Sequence, residues 1–154
     1  MEINDLISSN VVVANLKATS KKQVLQDLSR RAADATGLHE RAIFDVLMER
    51  ERLGTIGVGN GIAIPHGKIP DLDRLHGYFA RLEQPVDFQS IDERPVDLIF
   101  LLLAPESAGA DHLKALAKVS RVLRDDSICE KLRGTDTSDA LYAILTGSVE
   151  HQAA

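Results

Sequence analysis

The sequence has few of the features that mark secreted, membrane-spanning or disulfide-bonded proteins. Its single cysteine, Cys129, excludes an internal disulfide and any paired-cysteine metal or redox motif, and it favours a reducing compartment. The longest apolar run, LIFLLLA from Leu98, is too short to cross a bilayer. The N-terminal MEINDLISSN lacks the basic segment and long apolar core of a signal peptide. We therefore expect a cytoplasmic protein without membrane insertion.

Charge and length set further bounds. The net charge is −5, with both signs interspersed, which argues against nucleic acid or an anionic membrane as the main partner. The 154 residues, 44% apolar and 27% charged, are typical of a globular protein with a core of its own. We expect one domain over residues 1–148, followed by a polar tail at 149–154.

Strand and helix patterns alternate along the chain. Ser20 and Gln23 form a capping-box pattern before apolar residues at helical spacing, and Gly37 follows as a stop. VDLIFLLLA from Val96 is almost continuously apolar, as in a central strand covered on both faces. The other expected elements are strands from Val11 and over 75–82, a short strand at 62–64, a loop from Pro85, and helices over 40–53, 111–124, 127–132 and 138–145. This alternation predicts an α/β or α+β fold in layers.

The expected helix over residues 40–53 carries an arginine on its apolar side. At about 100° per residue, the apolar positions that share one face are Ile43, Val46, Leu47 and Leu53. Arg50 falls in the middle of that face. A buried guanidinium without an anion is costly, so Arg50 should meet an anionic group. The alternative is that Arg50 extends to solvent or pairs with a structural carboxylate.

A histidine, His112, lies in the first turn of the expected helix over residues 111–124. The apolar stripe of that helix is Leu113, Leu116, Ala117 and Leu123, and His112 faces the same side. A helix N-terminus favours anions. A lone histidine at this position is more often a core or capping residue with satisfied hydrogen bonds.

The segment GNGIAIPHGK, residues 59–68, presents His66 between a proline and a glycine. Pro65 forces the preceding residue toward an extended conformation, which holds the imidazole at a fixed angle. A neutral imidazole with a pKa of about 6.5 is a usable nucleophile at cytoplasmic pH. With Arg50 nearby, the natural electrophile is a phosphoryl group. A zinc site from His66, His76 and His112 is a competing interpretation, but no ligand spacing supports it.

Glycines surround that histidine. Gly57, Gly59, Gly61 and Gly67 allow close approach of backbone to a ligand, and their N–H groups suit an anion pocket. Such a run is also common in tight turns. It lacks the GK[ST] of a Walker A loop and the strand–turn–helix context of a dinucleotide fingerprint.

The segment LMERERLGTIGVGNGIAIPHGK resembles the active-site signature of IIA proteins of the phosphoenolpyruvate-dependent phosphotransferase system, in the fructose, mannitol and nitrogen group. GYFARLEQPVDFQSIDERPVDLIFLLLAPE and DHLKALAKVSRVL resemble later blocks of the nitrogen-regulatory branch. The resemblance runs from about Ile3 to Leu145. It implies a three-layer fold, with a mixed β-sheet flanked by helices on both faces, and a chemistry that requires no metal and no cofactor.

The resemblance also implies a role for each candidate residue. His66 would be phosphorylated at Nε2, and Arg50 and His112 would line the phosphate site. Lys68 is a further candidate for contact with the phosphoryl group.

One residue departs from the family pattern. The family usually has Thr or Ser where this chain has Ile56. A hydroxyl contact near the site is therefore missing, and Thr55 is the candidate to replace it.

The function implied by the resemblance is that of a phosphocarrier with a regulatory role. His66 would accept a phosphoryl group from a phosphohistidine on a small, nitrogen-type HPr-like carrier, and the phosphorylation state would set which targets are bound, as in nitrogen or potassium regulation. No fused IIB or IIC domain is seen, which favours regulation over sugar uptake. One alternative is a freestanding sugar-specific IIA that passes phosphate to a IIB partner for fructose- or mannitol-type uptake. Two others are a binding module in which His66 is structural, and a metal hydrolase using His66 and His112.

Overall fold

Six strands and five α-helices form in residues 1–147, the part of the chain that a computed structural model describes. The strands are β1 (Val12–Leu16), β2 (Gly57–Gly59), β3 (Ile62–Ala63), β4 (His66–Ile69), β5 (His76–Val86) and β6 (Val96–Pro105). The helices are α1 (Lys21–Thr36), α2 (Glu40–Leu53), α3 (Ala110–Leu123), α4 (Asp126–Arg133) and α5 (Ser138–Thr146). The tail expected at 149–154 lies outside the described residues.

The strands form one mixed sheet. Their order is β1-β5-β6-β3-β2, and β4 also pairs with β6. The pairs β5–β6 and β2–β3 are antiparallel, whereas β1 runs parallel to β5, and β3 and β4 run parallel to β6. Strand β6 is buried at every position except Asp97, as its apolar sequence predicts for a central strand. The expected α/β class with a mixed sheet is confirmed.

Two short strands, β3 and β4, follow each other along the same side of β6. They are separated by Ile64 and Pro65, and His66 pairs with Leu102 at the start of β4. Pro65 has no N–H to give the ladder, but its carbonyl accepts a hydrogen bond from Leu102 N at 2.9 Å. The sequence predicted a short strand at 62–64 and none at His66, so β4 is an addition to that prediction.

Helices cover both faces of the sheet. A Cβ atom on Gly67 of β4 would lie 2.4 Å from Val46 Cγ1 of α2, whereas the ring of the preceding His66 faces His112 of α3. Successive residues of a strand point to opposite faces, so α2 and α3 lie on opposite sides of the sheet. The predicted arrangement of three layers is therefore confirmed.

The start of α1 confirms Ser20 as the N-cap, but the return bond from Gln23 goes to the residue before the cap, so the predicted capping box is only half formed. Ser20 Oγ accepts a hydrogen bond from Gln23 N at 3.2 Å, and Gln23 Oε1 accepts one from Thr19 N at 2.9 Å. Gly37 ends the helix with a φ of 78°, a conformation that glycine adopts without steric cost.

The prediction for the end of α2 was wrong in one respect. Leu53 was placed on the buried face, but its side chain is 80% exposed. Ile43 and Leu47 are the fully buried residues of the helix, whereas Arg52 and Leu53 at its end are exposed, so an apolar residue at this position meets no core.

The predicted buried stripe of α3 was only partly right, because Leu123 is buried as predicted but Leu113 and Ala117 are exposed. The buried residues are His112, Ala115, Val119 and Leu123, and Leu113 is 67% exposed. The prediction followed the leucines, whereas the helix turns the small Ala115 side chain toward the sheet. His112 is buried, as its predicted position on the apolar side implied.

Strand β5 is longer than predicted. It continues to Val86, which pairs with Val96 after an irregularity in register that begins beyond Arg81. Pro85, expected in a loop, lies within this irregular part of the ladder, where a missing N–H is tolerated.

The core is one apolar cluster on both sides of the sheet, and its largest fully buried side chains include Phe79, Phe88 and Phe100. None of the helices in residues 1–147 is long and apolar enough to cross a membrane.

Candidate functional site

The imidazole of His66 is held by its own backbone neighbourhood. Its Nδ1 lies 2.8 Å from the carbonyl oxygen of Ile64. A carbonyl only accepts hydrogen bonds, so the neutral ring carries its proton on Nδ1 and leaves a lone pair on Nε2. Pro65 fixes the turn between these two residues. The ring is therefore presented in one tautomer, with Nε2 as its nucleophilic atom.

Arg50 comes to His66 from the last turn of α2. Its Nε donates a long hydrogen bond of 3.4 Å to His66 Nε2, and its Nη1 donates one of 3.1 Å to the carbonyl oxygen of Gly54. Gly67 makes this approach possible. Because it has no side chain, Val46 of α2 can pack directly against β4, in the space that a Cβ atom on residue 67 would occupy. The half-buried arginine thus meets the imidazole, and neither of its two hydrogen bonds goes to a structural carboxylate.

His112 reaches the same place from the first turns of α3. The centroids of the His66 and His112 rings are 5.8 Å apart, with an angle of 48° between the planes. Within residues 1–147, the buried Nδ1 of His112 has no hydrogen-bond partner. A buried N–H without an acceptor is costlier than a buried lone pair, so we assign the proton of the neutral ring to Nε2. That assignment makes Nε2 of His112 a hydrogen-bond donor.

The electrostatics of the site favour two neutral histidines beside fixed positive charge. Burial lowers the pKa of His66 below its ordinary value of 6.5; the Ile64 carbonyl opposes this shift and the charge of Arg50 adds to it. Burial also lowers the pKa of His112, and the neighbouring His66 and Lys68 lower it further. An arriving anion would find a guanidinium and uncharged imidazoles, with no carboxylate to repel it among the contacts described above.

The glycines at 57, 59 and 61 belong to a β-hairpin. Strands β2 and β3 are joined through Asn60 and Gly61, whose φ values of 56° and 79° have the positive sign that a type I′ turn requires. A Cβ on Gly57 would meet Ser90, one on Gly59 would face Asp92, and one on Gly61 would overlap Arg133. The structure therefore sets these glycines against side chains other than His66.

Gly67 and Lys68 lie next to His66 on β4. Gly67 turns toward Val46 of α2, so its lack of a side chain serves the packing of that helix. Lys68 is exposed on the same face of the strand as His66, close enough to His112 to affect its titration.

Thr55 and Ile56 have structural partners. The Thr55 hydroxyl donates a hydrogen bond to Phe88 O at 2.8 Å and accepts one from Gly57 N at 3.0 Å. Ile56 is buried, and its carbonyl accepts a hydrogen bond from Ile64 N at 3.0 Å. The Thr55 hydroxyl thus already has two partners in the unphosphorylated protein.

The histidines proposed for a zinc site are divided by the sheet. His66 pairs with Leu102 and His76 with Leu103, two consecutive residues of β6. Paired residues share a face and consecutive ones do not, so His66 and His76 point to opposite faces. In the described part of the chain, no group of three His, Cys, Asp or Glu residues is placed to hold a metal ion.

Sequence reasoning missed the two backbone carbonyls that orient the site. Ile64 O fixes the tautomer of His66, and Gly54 O anchors Arg50. A carbonyl carries no signal in the sequence; only the proline between Ile64 and His66 hinted at a fixed turn. With these carbonyls, the arrangement can offer a nucleophilic nitrogen to an electrophile whose negative charge Arg50 would balance.

Comparison with known proteins gives this geometry a context. Residues 5–148 match the family described as phosphoenolpyruvate-dependent sugar phosphotransferase system, EIIA 2. The chain is 56% identical over 145 residues to a nitrogen regulatory protein of Bradyrhizobium diazoefficiens, covering 94% of this chain and 95% of the relative. It is 36% identical over 132 residues to a fructose-specific EIIA component of Haloferax volcanii, covering 85% and 86%. The crystal structure of the nitrogen regulatory protein IIA-Ntr from Neisseria meningitidis superposes with a TM-score of 0.88 at 34% identity, covering 94% of this chain and 99% of that one.

Proposed function

The chain belongs to the EIIA type 2 family of the phosphoenolpyruvate-dependent phosphotransferase system, and on that premise we propose that it is a phosphocarrier that regulates target proteins by the phosphorylation state of His66. The phosphoryl donor is a phosphohistidine on a small HPr-like carrier of the nitrogen type. The proposal keeps the cytoplasmic location expected from the sequence.

One observation carries this proposal: the lone pair of His66 Nε2 faces the guanidinium of Arg50. The Nδ1 contact with Ile64 O at 2.8 Å fixes the tautomer, and Arg50 Nε lies 3.4 Å from Nε2. A structural histidine has no need of a cation at its only free nitrogen. A phosphoryl acceptor does, because the incoming group brings negative charge to that atom.

The transfer step balances without an external acid or base. The Nε2 lone pair attacks phosphorus in line, the N–P bond of the donor breaks, and its electron pair returns to the donor ring. The His66 ring gains positive charge as the bond forms, and the Nδ1–H···O=C contact with Ile64 stabilises that charge. Arg50 binds phosphoryl oxygens and His112 donates a hydrogen bond from Nε2. Positioning and charge stabilisation carry the catalysis.

Two exposed leucines next to these residues support a docking surface for the carrier. Leu113 follows His112 and is 67% exposed, and Leu53 lies three residues beyond Arg50 and is 80% exposed. Apolar side chains around a polar centre are typical of protein–protein contacts. The carrier would approach across this rim, with its phosphohistidine facing Nε2 of His66.

The regulatory role is favoured over sugar transport by the relatives. The match to the nitrogen regulatory protein has 56% identity, against 36% for the fructose-specific component. The second candidate, transfer to a IIB partner in fructose- or mannitol-type uptake, rests on that fructose-specific relative. Incubating the phosphorylated protein with a purified fructose-type IIB discriminates between them. Rapid transfer to the IIB cysteine would favour uptake, and stable retention on this protein would favour regulation.

Phosphorus NMR tests the chemical assignment directly. The protein would be phosphorylated with phosphoenolpyruvate, Enzyme I and an HPr-like carrier, and then desalted under alkaline conditions. We expect one resonance, with the chemical shift and ring couplings of an Nε2-phosphohistidine. A resonance of an Nδ1-phosphohistidine would contradict the tautomer on which the mechanism depends.

A further inference from the structure

The ion pair Lys21–Glu51 is the most buried one in residues 1–147, and it lies beside the turn that follows α2. Lys21 Nζ is 2.6 Å from Glu51 Oε1, and the two side chains are only 19% and 9% exposed. A buried ion pair adds little net stability, because removing the charges from water costs about as much as their attraction returns. Its presence suggests that it fixes a geometry.

Glu51 holds the chain between α2 and β2. Its second oxygen, Oε2, accepts a hydrogen bond from Ile56 N at 3.1 Å, and its carbonyl accepts one from Gly54 N at 3.2 Å. Lys21 Nζ also donates a hydrogen bond to Gln89 Oε1 at 2.5 Å, so this ion pair links α1, α2 and the loop after β5. The turn from Gly54 to Ile56 is thus tied down at both ends by one residue.

The same turn orients the guanidinium at the site. Gly54 O accepts a hydrogen bond from Arg50 Nη1 at 3.1 Å, while Arg50 Nε faces His66 Nε2 at 3.4 Å. A guanidinium is planar, so with Nη1 bound to Gly54 and Nε directed at His66, the edge formed by Nε and Nη2 is turned toward the acceptor nitrogen. Two parallel N–H groups on one edge can bind two phosphoryl oxygens at once.

We propose that Glu51, held by Lys21, is a positioning residue for phosphoryl transfer. It fixes the Gly54–Ile56 turn, and this turn holds Arg50 in the orientation that a phosphoryl group on His66 requires. Glu51 itself touches neither the phosphoryl group nor His66. This inference rests on the proposed function, and it assigns a role in the transfer reaction to a carboxylate outside the cluster of His66, Arg50 and His112.

Glu51→Gln, with Glu49→Gln as its matched control, tests the assignment. Both substitutions remove one negative charge from the last turns of α2, but the Glu49 side chain is 66% exposed and pairs with the exposed Arg52. For Glu51→Gln, we expect kcat for transfer from the phosphorylated carrier to fall about tenfold, since small misplacements of a catalytic group have effects of this order. The KM for the carrier should stay within about twofold, because Glu51 lies outside the docking rim. Glu49→Gln should change neither constant by more than about twofold.

A spectroscopic readout separates positioning from general destabilisation. The Nε–H resonance of Arg50, observed by 15N NMR in the unphosphorylated protein, should shift in Glu51→Gln and stay in place in Glu49→Gln. If Glu51→Gln does not fold, Lys21→Met serves as the second variant, with the exposed Lys22→Met as its control. Lys21→Met should shift the same resonance and lower kcat.

Three outcomes would overturn the proposal. They are an unchanged Arg50 resonance, a kcat equal to that of the matched control, and a loss confined to KM. The proposed function fails separately, when the wild-type protein takes no phosphoryl group. A shifted Arg50 resonance in that case would still support the positioning of Arg50 by Glu51.

Discussion

Gly67→Ala should loosen the contact between α2 and β4 that brings Arg50 to His66. The new Cβ would lie 2.4 Å from Val46 Cγ1, whereas carbon atoms in contact are about 3.5–4.0 Å apart. The two groups must therefore separate by about 1 Å or more. Valine in a helix is largely restricted to one side-chain rotamer, so the helix itself has to move. Overpacking of this kind costs about 1–3 kcal/mol of unfolding free energy.

The same displacement should impair phosphoryl transfer. Arg50 lies one helical turn beyond Val46, and its Nε is only 3.4 Å from His66 Nε2. A shift of about 1 Å in such a group can lower the rate by about a hundredfold. Urea unfolding would measure the loss of stability, and single-turnover transfer from the phosphorylated carrier would measure the loss of rate.

Two further variants make this prediction specific. In Gly134→Ala the new Cβ meets only backbone oxygens, at 3.6 and 3.8 Å, so stability should change by no more than about 0.5 kcal/mol. Val46→Ala combined with Gly67→Ala removes the overlapping atom and should restore part of both stability and rate, with a coupling energy of about 1–2 kcal/mol. If Gly67→Ala behaves like Gly134→Ala, or if the double variant is strictly additive, the packing of α2 on β4 does not position Arg50.

Two other predictions concern a hydroxyl and a titration. Thr55→Val leaves Phe88 O and Gly57 N without their hydrogen-bond partner. It should lower the free energy of unfolding, measured in urea, by about 2 kcal/mol. A loss no larger than that caused by Thr19→Val, at an exposed position, would contradict this. The imidazole of His66 should titrate by NMR with a midpoint below 6.5, because burial and the charge of Arg50 lower its pKa, and Arg50→Ala should raise that midpoint. Because the pKa of His66 is lower in the folded protein than in the unfolded chain, the unfolded chain binds this proton more readily. The free energy of unfolding should therefore decrease as the pH falls below 6.5. A midpoint at or above 6.5 would refute the electrostatic account.

Patterns in the sequence predicted the layers of the fold because residues close together in the sequence determine which side of a helix or strand is buried. The apolar run of β6, the N-cap of α1 and the inward direction of Arg50 all follow from periodicity or from hydrogen bonds between near neighbours. The structure brings Arg50, His66 and His112 together as the resemblance implied, and their chemical roles remain predictions.

Other features depend on tertiary contacts that no local pattern reports. The buried face of α3 was misjudged in part because the leucines suggested a stripe through Leu113, whereas the helix turns Ala115 and Val119 toward the core. Strand β4 exists because β6 offers it a partner beyond the break at Pro65. Asn60 and Gly61 have a sequence typical of a β-hairpin turn, yet the glycines around them were also compatible with an anion pocket. Only the structure shows which side chains these glycines face.

The central claim, that His66 is a phosphoryl acceptor, is tested most directly by intact mass. Wild-type protein and His66→Ala would each be incubated with phosphoenolpyruvate, Enzyme I and the HPr-like carrier, with the relay verified on a second acceptor. The account predicts that one acid-labile phosphoryl group is added to the wild type and none to His66→Ala. No mass gain in the wild type, or an equal gain in the variant, would contradict it.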